Sequence, residues 1–187
     1  MASLAVSSTL RVQLAAPVPW RMKKTVLTYG LISGVIGAAF MLAHVPFMDG
    51  SNKALIVGYL GIVLSALVIF FGVRSYRENV GHGRISFGRG FAVGILIALL
   101  SAACFVAAWE VVYYSSPGIM DHVFDKQIED LRVKGAARAE IDAAAVQLES
   151  FKKLYANPLV NSAFTFMEPF PVGLLVALIS AVILRRQ

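Results

Sequence analysis

Four apolar stretches, Val26 to Val45, Leu55 to Val73, Phe91 to Tyr113 and Leu159 to Leu184, leave this chain of 187 residues few folds to choose from. Crossing a bilayer takes about 20 predominantly apolar residues at about 1.5 Å of rise each. Four such runs in one short chain specify an all-α membrane protein with four transmembrane helices in a bundle. The apolar fraction of 58% and the mean hydropathy of +0.72 agree, since soluble domains hold about 45 to 50% apolar residues. The single cysteine, Cys104, lies inside the third run, which excludes an intramolecular disulfide and any cysteine cluster for zinc or iron–sulfur. Cys104 is expected to be a packing residue.

The net charge of +6 does not indicate nucleic acid, because the basic residues gather beside the ends of apolar runs and there set topology. Arg11, Arg21, Lys23 and Lys24 precede span one. Arg74, Arg77, Arg84 and Arg89 stand between spans two and three against one acid, Glu78, and Arg185 and Arg186 follow span four. The segment between spans one and two holds only Asp49 and Lys53, and that between spans three and four mixes seven acids with six bases. Short cytoplasmic segments keep an excess of Lys and Arg, so both termini are expected on the cytoplasmic side, in agreement with an even number of crossings.

Residues 1–21 contain Ser3, Ser7, Ser8, Thr9, Pro17 and Pro19 but no acid and no sustained apolar run. A disordered extension or a misassigned start is expected, with residues 22–187 forming the membrane domain. An organelle transit peptide would share this composition, although two arginines are few for one. A signal peptide would carry an apolar region of about 7 to 15 residues and a small-residue cleavage site. The first run is longer and Met41-Leu-Ala-His44 offers no such site, so it is expected to remain as a span.

Helices in lipid associate by close backbone approach, which favours small residues four apart. Gly30 with Gly34 and Ser33 with Gly37 supply such stripes in span one, and Gly61 with Ser65 in span two. Span three has Gly90, Gly94, Ala98 and Ala102; span four has Gly173, Ala177 and Ala181. These stripes predict a compact bundle, and any stripe left uncovered would serve a second copy or another membrane protein. Trp109, Tyr113 and Tyr114 fall where span three should leave the bilayer, the position of an aromatic belt. Between spans three and four, Phe124, Ile128 and Leu131, then Ile141, Leu148, Phe151 and Tyr155, recur at helical spacing on either side of Gly135. This predicts a helical hairpin over about 119–156 on the outer side, its apolar faces closed on each other or on the bundle mouth. Asp130 with Lys134 and Glu149 with Lys153 have the favourable order for four-residue ion pairs.

Several motifs together resemble one known family: Met22-Lys-Lys-Thr-Val-Leu-Thr-Tyr-Gly30, Arg84-Ile-Ser-Phe-Gly-Arg-Gly-Phe91, Tyr155-Ala-Asn-Pro-Leu159, Glu168 before Pro169, and the closing run from Pro171 to Arg186. The chain from Met22 to Arg186 resembles a bacterial membrane-protein family catalogued as domain of unknown function 4199. The resemblance implies a bacterial cytoplasmic membrane location and supplies no catalytic residues.

Ionisable groups inside a span cost roughly 2.5 to 3.5 kcal/mol at the bilayer centre on insertion scales, so each is a functional candidate. His44, Glu110 and Glu168 lie about 27, 28 and 24 Å along their spans from the inner edge, near the outer boundary of a layer of about 30 Å. Such a trio can exchange protons, hold a cation or bind a cationic group. The structural alternatives are that His44 and Glu110 reach the headgroups, and that Glu168, ahead of Pro169 and Pro171, marks a helix break and favours the following helix through its dipole.

The loop from Gly81 to Gly90 is glycine-rich and basic but lacks the strand, the Lys-Ser or Lys-Thr pair and the glycine spacing of a nucleotide loop. The arginines in and just before it, Arg74, Arg77, Arg84 and Arg89, are expected to contact lipid headgroups. With no nucleophile–base pair and no ligand set at a recognisable spacing, the sequence points to no enzyme, no cofactor and no metal. Two readings remain: a non-enzymatic assembly or interaction component, or a small transporter or ion-binding protein centred on Glu168 with Glu110 and His44.

Overall fold

The computed structural model describes the backbone of residues 18–45 and 52–186, with side chains from 20 to 45 and from 56 to 186. Seven α-helices follow one another in these residues: α1 Val18–His44, α2 Asn52–Asn79, α3 Phe87–Ser115, α4 Ile119–Val133, α5 Arg138–Tyr155, α6 Pro158–Met167 and α7 Phe170–Leu184. Among the described residues four segments are long and apolar enough to cross a membrane: Trp20–His44, Ile56–Asn79, Phe87–Ser115 and Pro158–Leu184, the last made of α6 and α7. Among the described residues no strand forms; one isolated antiparallel bridge joins Ile85 to Arg186.

The helices overrun the apolar stretches that announce them. Helix α1 starts at Val18, so residues 18–21, expected in a disordered extension, are helical, and Thr25 Oγ1 donates back to the Arg21 carbonyl at 3.2 Å. The rest of that expected extension, residues 1–17, lies outside the described residues. Helix α2 continues through Arg74 and Arg77 to Asn79, and α3 takes in Arg89, which leaves a loop of only seven residues between them. A helix satisfies its own backbone hydrogen bonds, so nothing forces it to stop where the apolar run stops.

Small residues fix how the spans meet. Along the antiparallel seam of α3 and α7, Gly90 faces Ala181, Gly94 faces Ala177 and Ala98 faces Gly173. An added Cβ on Gly94 would lie 2.8 Å from Ala177 Cβ and 3.1 Å from its Cα, a separation that only glycine allows without movement. Helix α1 runs parallel to α3, with Gly30 against Leu100 and Gly34 against Cys104, and antiparallel to α2, with Phe40 over Gly61 and Tyr29 over Gly72. Cys104 is thus a packing residue. The fourth side of the bundle is α2 against α7, and the apolar centre between them contains Ala66, Ile69, Val73, Val93, Ile97 and Ala177, all at most 3% exposed.

One polar knot interrupts this interior. Ser33 on α1 donates to the Ser65 carbonyl on α2 at 2.8 Å and shares a 2.8 Å hydrogen bond with the Ser101 hydroxyl on α3. Three spans are tied together at one level, and each hydroxyl finds an oxygen where lipid would offer none.

Span four breaks where its prolines require. Helix α6 opens with Asn157 as its cap, whose side chain accepts from Leu159 N at 3.0 Å, followed by Pro158 in the first turn. It ends at Met167, and α7 begins at Phe170, because neither Pro169 nor Pro171 has an N–H to continue the ladder. The ladder resumes with Gly173 N donating to the Pro169 carbonyl at 3.0 Å.

Helices α4 and α5 pair as a helical hairpin. Its turn, residues 134–137, uses Gly135 at φ +74°, a conformation that other residues adopt at a cost. Lys152 of α5 reaches Asp121 of α4 as an ion pair, and Glu149 pairs with Lys153 at 3.9 Å. Asp130 does not pair with Lys134; Glu129 and Arg132 pair instead, at 3.2 Å. The apolar faces close only in part, and a gap persists between the two helices beside Leu131 and Leu148.

Candidate functional site

The mouth of the bundle, at the end reached by the C-termini of α1 and α3, is not filled. A cavity of about 640 Å3 lies there between the spans and the hairpin. Met41 and His44 from α1, Ile62 and Tyr59 from α2, and Phe105 and Trp109 from α3 form its floor and walls. Met120, Val123, Phe124 and Gln127 of α4 with Phe151 and Tyr155 of α5 form its roof. Phe164, Thr165 and Met167 of α6 close the remaining side, and Glu168 lines it from the break in span four.

The roof is joined to the bundle through aromatic contacts. Phe151 meets Phe124 at 6.2 Å, Tyr155 at 5.3 Å and Phe164 at 5.4 Å between ring centroids, and Tyr155 meets Tyr113 at 5.9 Å. Edge-to-face and offset pairs of this kind add about 0.5 to 1.5 kcal/mol each beyond the area they bury. Beneath them runs a buried polar chain. The Trp109 indole N–H donates to Asn161 Oδ1 at 3.0 Å, the Thr165 hydroxyl donates to the same oxygen at 3.4 Å, and Tyr155 and Thr165 share a hydrogen bond of 3.2 Å. Burial raises the Tyr155 pKa above the ordinary tyrosine value, so its hydroxyl keeps its proton. Asn161 is 1% exposed, and its Nδ2 has no partner among the described residues.

The expected trio is divided. His44 and Glu168 line the one cavity, and Gly58 leaves room for the imidazole: a Cβ there would sit 3.7 Å from His44 Nδ1 and Cε1. Glu110 does not line the cavity; it faces α6, where the Ser162 hydroxyl donates to its Oε1 at 2.6 Å. The reason is helical phase, since Trp109 and Glu110 are neighbours about 100° apart and only one of them can face the mouth. Trp109, expected in the aromatic belt, is buried at 6% exposure, whereas Tyr114 is exposed. Glu168 stands in the break between α6 and α7, just ahead of the first turn of α7, which has no side-chain cap hydrogen bond. Among the described residues the Glu168 carboxylate makes no hydrogen bond or ion pair.

At the other end of the bundle, Arg74 and Arg77 both contact Glu78, at 2.9 and 3.2 Å, while Arg84 and Arg89 are exposed. The glycines of this turn serve its geometry. A Cβ on Gly81 would meet the Arg84 carbonyl oxygen at 2.0 Å, and Gly83 sits at φ +84°. Ser86 caps α3, and Ile85 exchanges two backbone hydrogen bonds with Arg186, at 3.0 and 3.1 Å. Among the described residues no three His, Cys, Asp or Glu side chains gather as a metal site.

Ionisability alone does not single out Asn161, Thr165, Ser162 or the three serines of the bundle. The signal that does is an uncharged polar side chain within an apolar span, above all Asn161 and Thr165 one turn apart, because such groups seek partners on other helices.

Four apolar crossings, a kinked last span and a helical pair over one mouth define a multi-pass helical membrane protein. The family model described as Protein of unknown function (DUF4199) matches residues 28–186, and the chain belongs to that family. No curated protein and no solved structure matches it.

Proposed function

We propose that this is a non-enzymatic protein of the bacterial cytoplasmic membrane that works by interaction, holding a ligand where the hairpin meets the bundle. The observation that carries the reading is the cavity of about 640 Å3, whose walls come from both the spans and the hairpin and which is large enough for a small organic molecule. In this reading both termini are cytoplasmic and α4 with α5 lies outside the membrane on the far side. Its support is the grouping of bases: Lys23 and Lys24 in the first turns of α1, Arg74, Arg77, Arg84 and Arg89 in and beside the α2–α3 turn, and Arg185 and Arg186 all fall at one end of the bundle. The exposed Arg84 and Arg89 then meet anionic headgroups, and Arg74 and Arg77 divide themselves between headgroups and Glu78.

Trp20 and Trp109 are the two tryptophans of the chain, so Trp20→Phe makes the cavity indole the sole reporter. In neutral maltoside micelles, a dibrominated fatty alcohol should quench Trp109 along a saturating curve. Quenching that grows linearly with the mole fraction of brominated chain is plain partitioning and counts against the reading. The rival, a proton- or ion-handling site of Glu168, Glu110 and His44, draws on the cavity shared by two of the three. Its test is Glu168→Gln at unchanged expression, which should abolish a pH-dependent phenotype; an indifferent variant removes it.

A further inference from the structure

We infer that the cavity beneath the hairpin selects an amphipathic organic cation, an ammonium group on an apolar body. This deepens the ligand-holding reading and rests on it. Charge is the first ground. Of the described residues lining the cavity, Glu168 is the only acid, and none is Lys or Arg. The second ground is that no hydrogen bond or ion pair among the described residues holds this carboxylate, and no side-chain cap binds it to the first turn of α7. The third is the walls: seven aromatic rings and three methionines line the same space. Aromatic faces attract cations through their quadrupoles, and methionine adapts to irregular apolar bodies. An anion would meet the Glu168 carboxylate and the negative faces of the rings. A small hydrated metal ion would find one carboxylate and an imidazole, too few ligands for an oxygen-coordinated cation. An ammonium with an apolar tail satisfies both halves of the lining.

The Trp20→Phe protein in neutral maltoside micelles provides the test. Three dibrominated chains of equal length, ending in trimethylammonium, hydroxyl or sulfate, are titrated against Trp109 fluorescence, with free tryptophan octyl ester in the same micelles as the partitioning reference. The ammonium chain should saturate about tenfold more tightly than the alcohol, and the sulfate most weakly. Glu168→Gln should bring the ammonium chain to the level of the alcohol, while Glu110→Gln should leave the order intact. Should Glu168→Gln fail to fold, the charge series on the unaltered glutamate still decides. Saturation by all three chains with equal midpoints overturns the cation and keeps the cavity; no saturation by any of them overturns both readings. Added phosphatidylethanolamine then assigns the source: if it displaces the ammonium chain, the natural occupant is a lipid headgroup, and if it does not, a free amphiphile. Either result sustains the ammonium chemistry.

Discussion

Asn161 shows how one uncharged side chain organises the mouth of the bundle. Its amide oxygen takes hydrogen bonds from the Trp109 indole and the Thr165 hydroxyl, and Thr165 in turn meets Tyr155 at the base of the hairpin. Bundle, last span and hairpin are joined through four side chains. Trp109→Phe removes one donor from a buried acceptor and should lower stability by about 1 kcal/mol, read from unfolding in mixed dodecyl sulfate and maltoside micelles. Tyr114→Phe, on an exposed ring of the same helix, should leave the midpoint where it is. The charged residues were legible as candidates because charge within lipid is costly. Their grouping was not legible, because a 100° step of the helix decided that Trp109 turned inward and Glu110 went to Ser162.

At the scale of elements, the α3–α7 seam rests on the absence of side-chain atoms. Gly94→Val would push a Cβ into Ala177 Cβ at 2.8 Å and its backbone at 3.1 Å, and neither can swing away. A loss of about 1 to 3 kcal/mol is expected in the same unfolding experiment. Gly88→Ala, in the first turn of the same helix with open space around it, should instead be neutral or gain a few tenths. In the hairpin an exposed ion pair adds modestly to the aromatic contacts. The hydrogen bond from Lys152 to the Asp121 carboxylate raises the lysine pKa above its ordinary 10.5. A raised cationic pKa means that the pair stabilises the hairpin fully below about pH 10.5 and ceases to do so as pH climbs through the higher folded-state value. Spin labels on α4 and α5 should hold one distance from pH 7 to 10 and separate only beyond that range. Lys152→Met should show the wider distribution already at pH 7.

For the molecule as a whole, the backbone pairing of Ile85 with Arg186 ties the C-terminus to the α2–α3 turn, so the two must share one face of the membrane. In a Cys104→Ala background, cysteines at His82 and Arg185 should react with an impermeant maleimide only after the cytoplasmic face is opened. A cysteine at Val146 on the exposed side of α5 should react in intact cells. Labelling of His82 and Val146 from one side would overturn the proposed orientation.

The apolar runs by themselves determined four crossings, since no other secondary structure buries so many consecutive apolar residues with every backbone hydrogen bond made. The small-residue spacing of α3 and α7 likewise carried their seam, because close approach needs glycine and alanine at fixed intervals. Pro169 and Pro171 carried the break, since neither has an N–H to donate. Only tertiary structure decided that His44 and Glu168, more than 120 residues apart, line one cavity, that Glu110 stays out of it, and that the hairpin, closed in part on itself, also roofs it. Those outcomes depend on the rotation of each helix about its own axis and on how far two helices splay, quantities set by the packing of all seven together and written in no single segment.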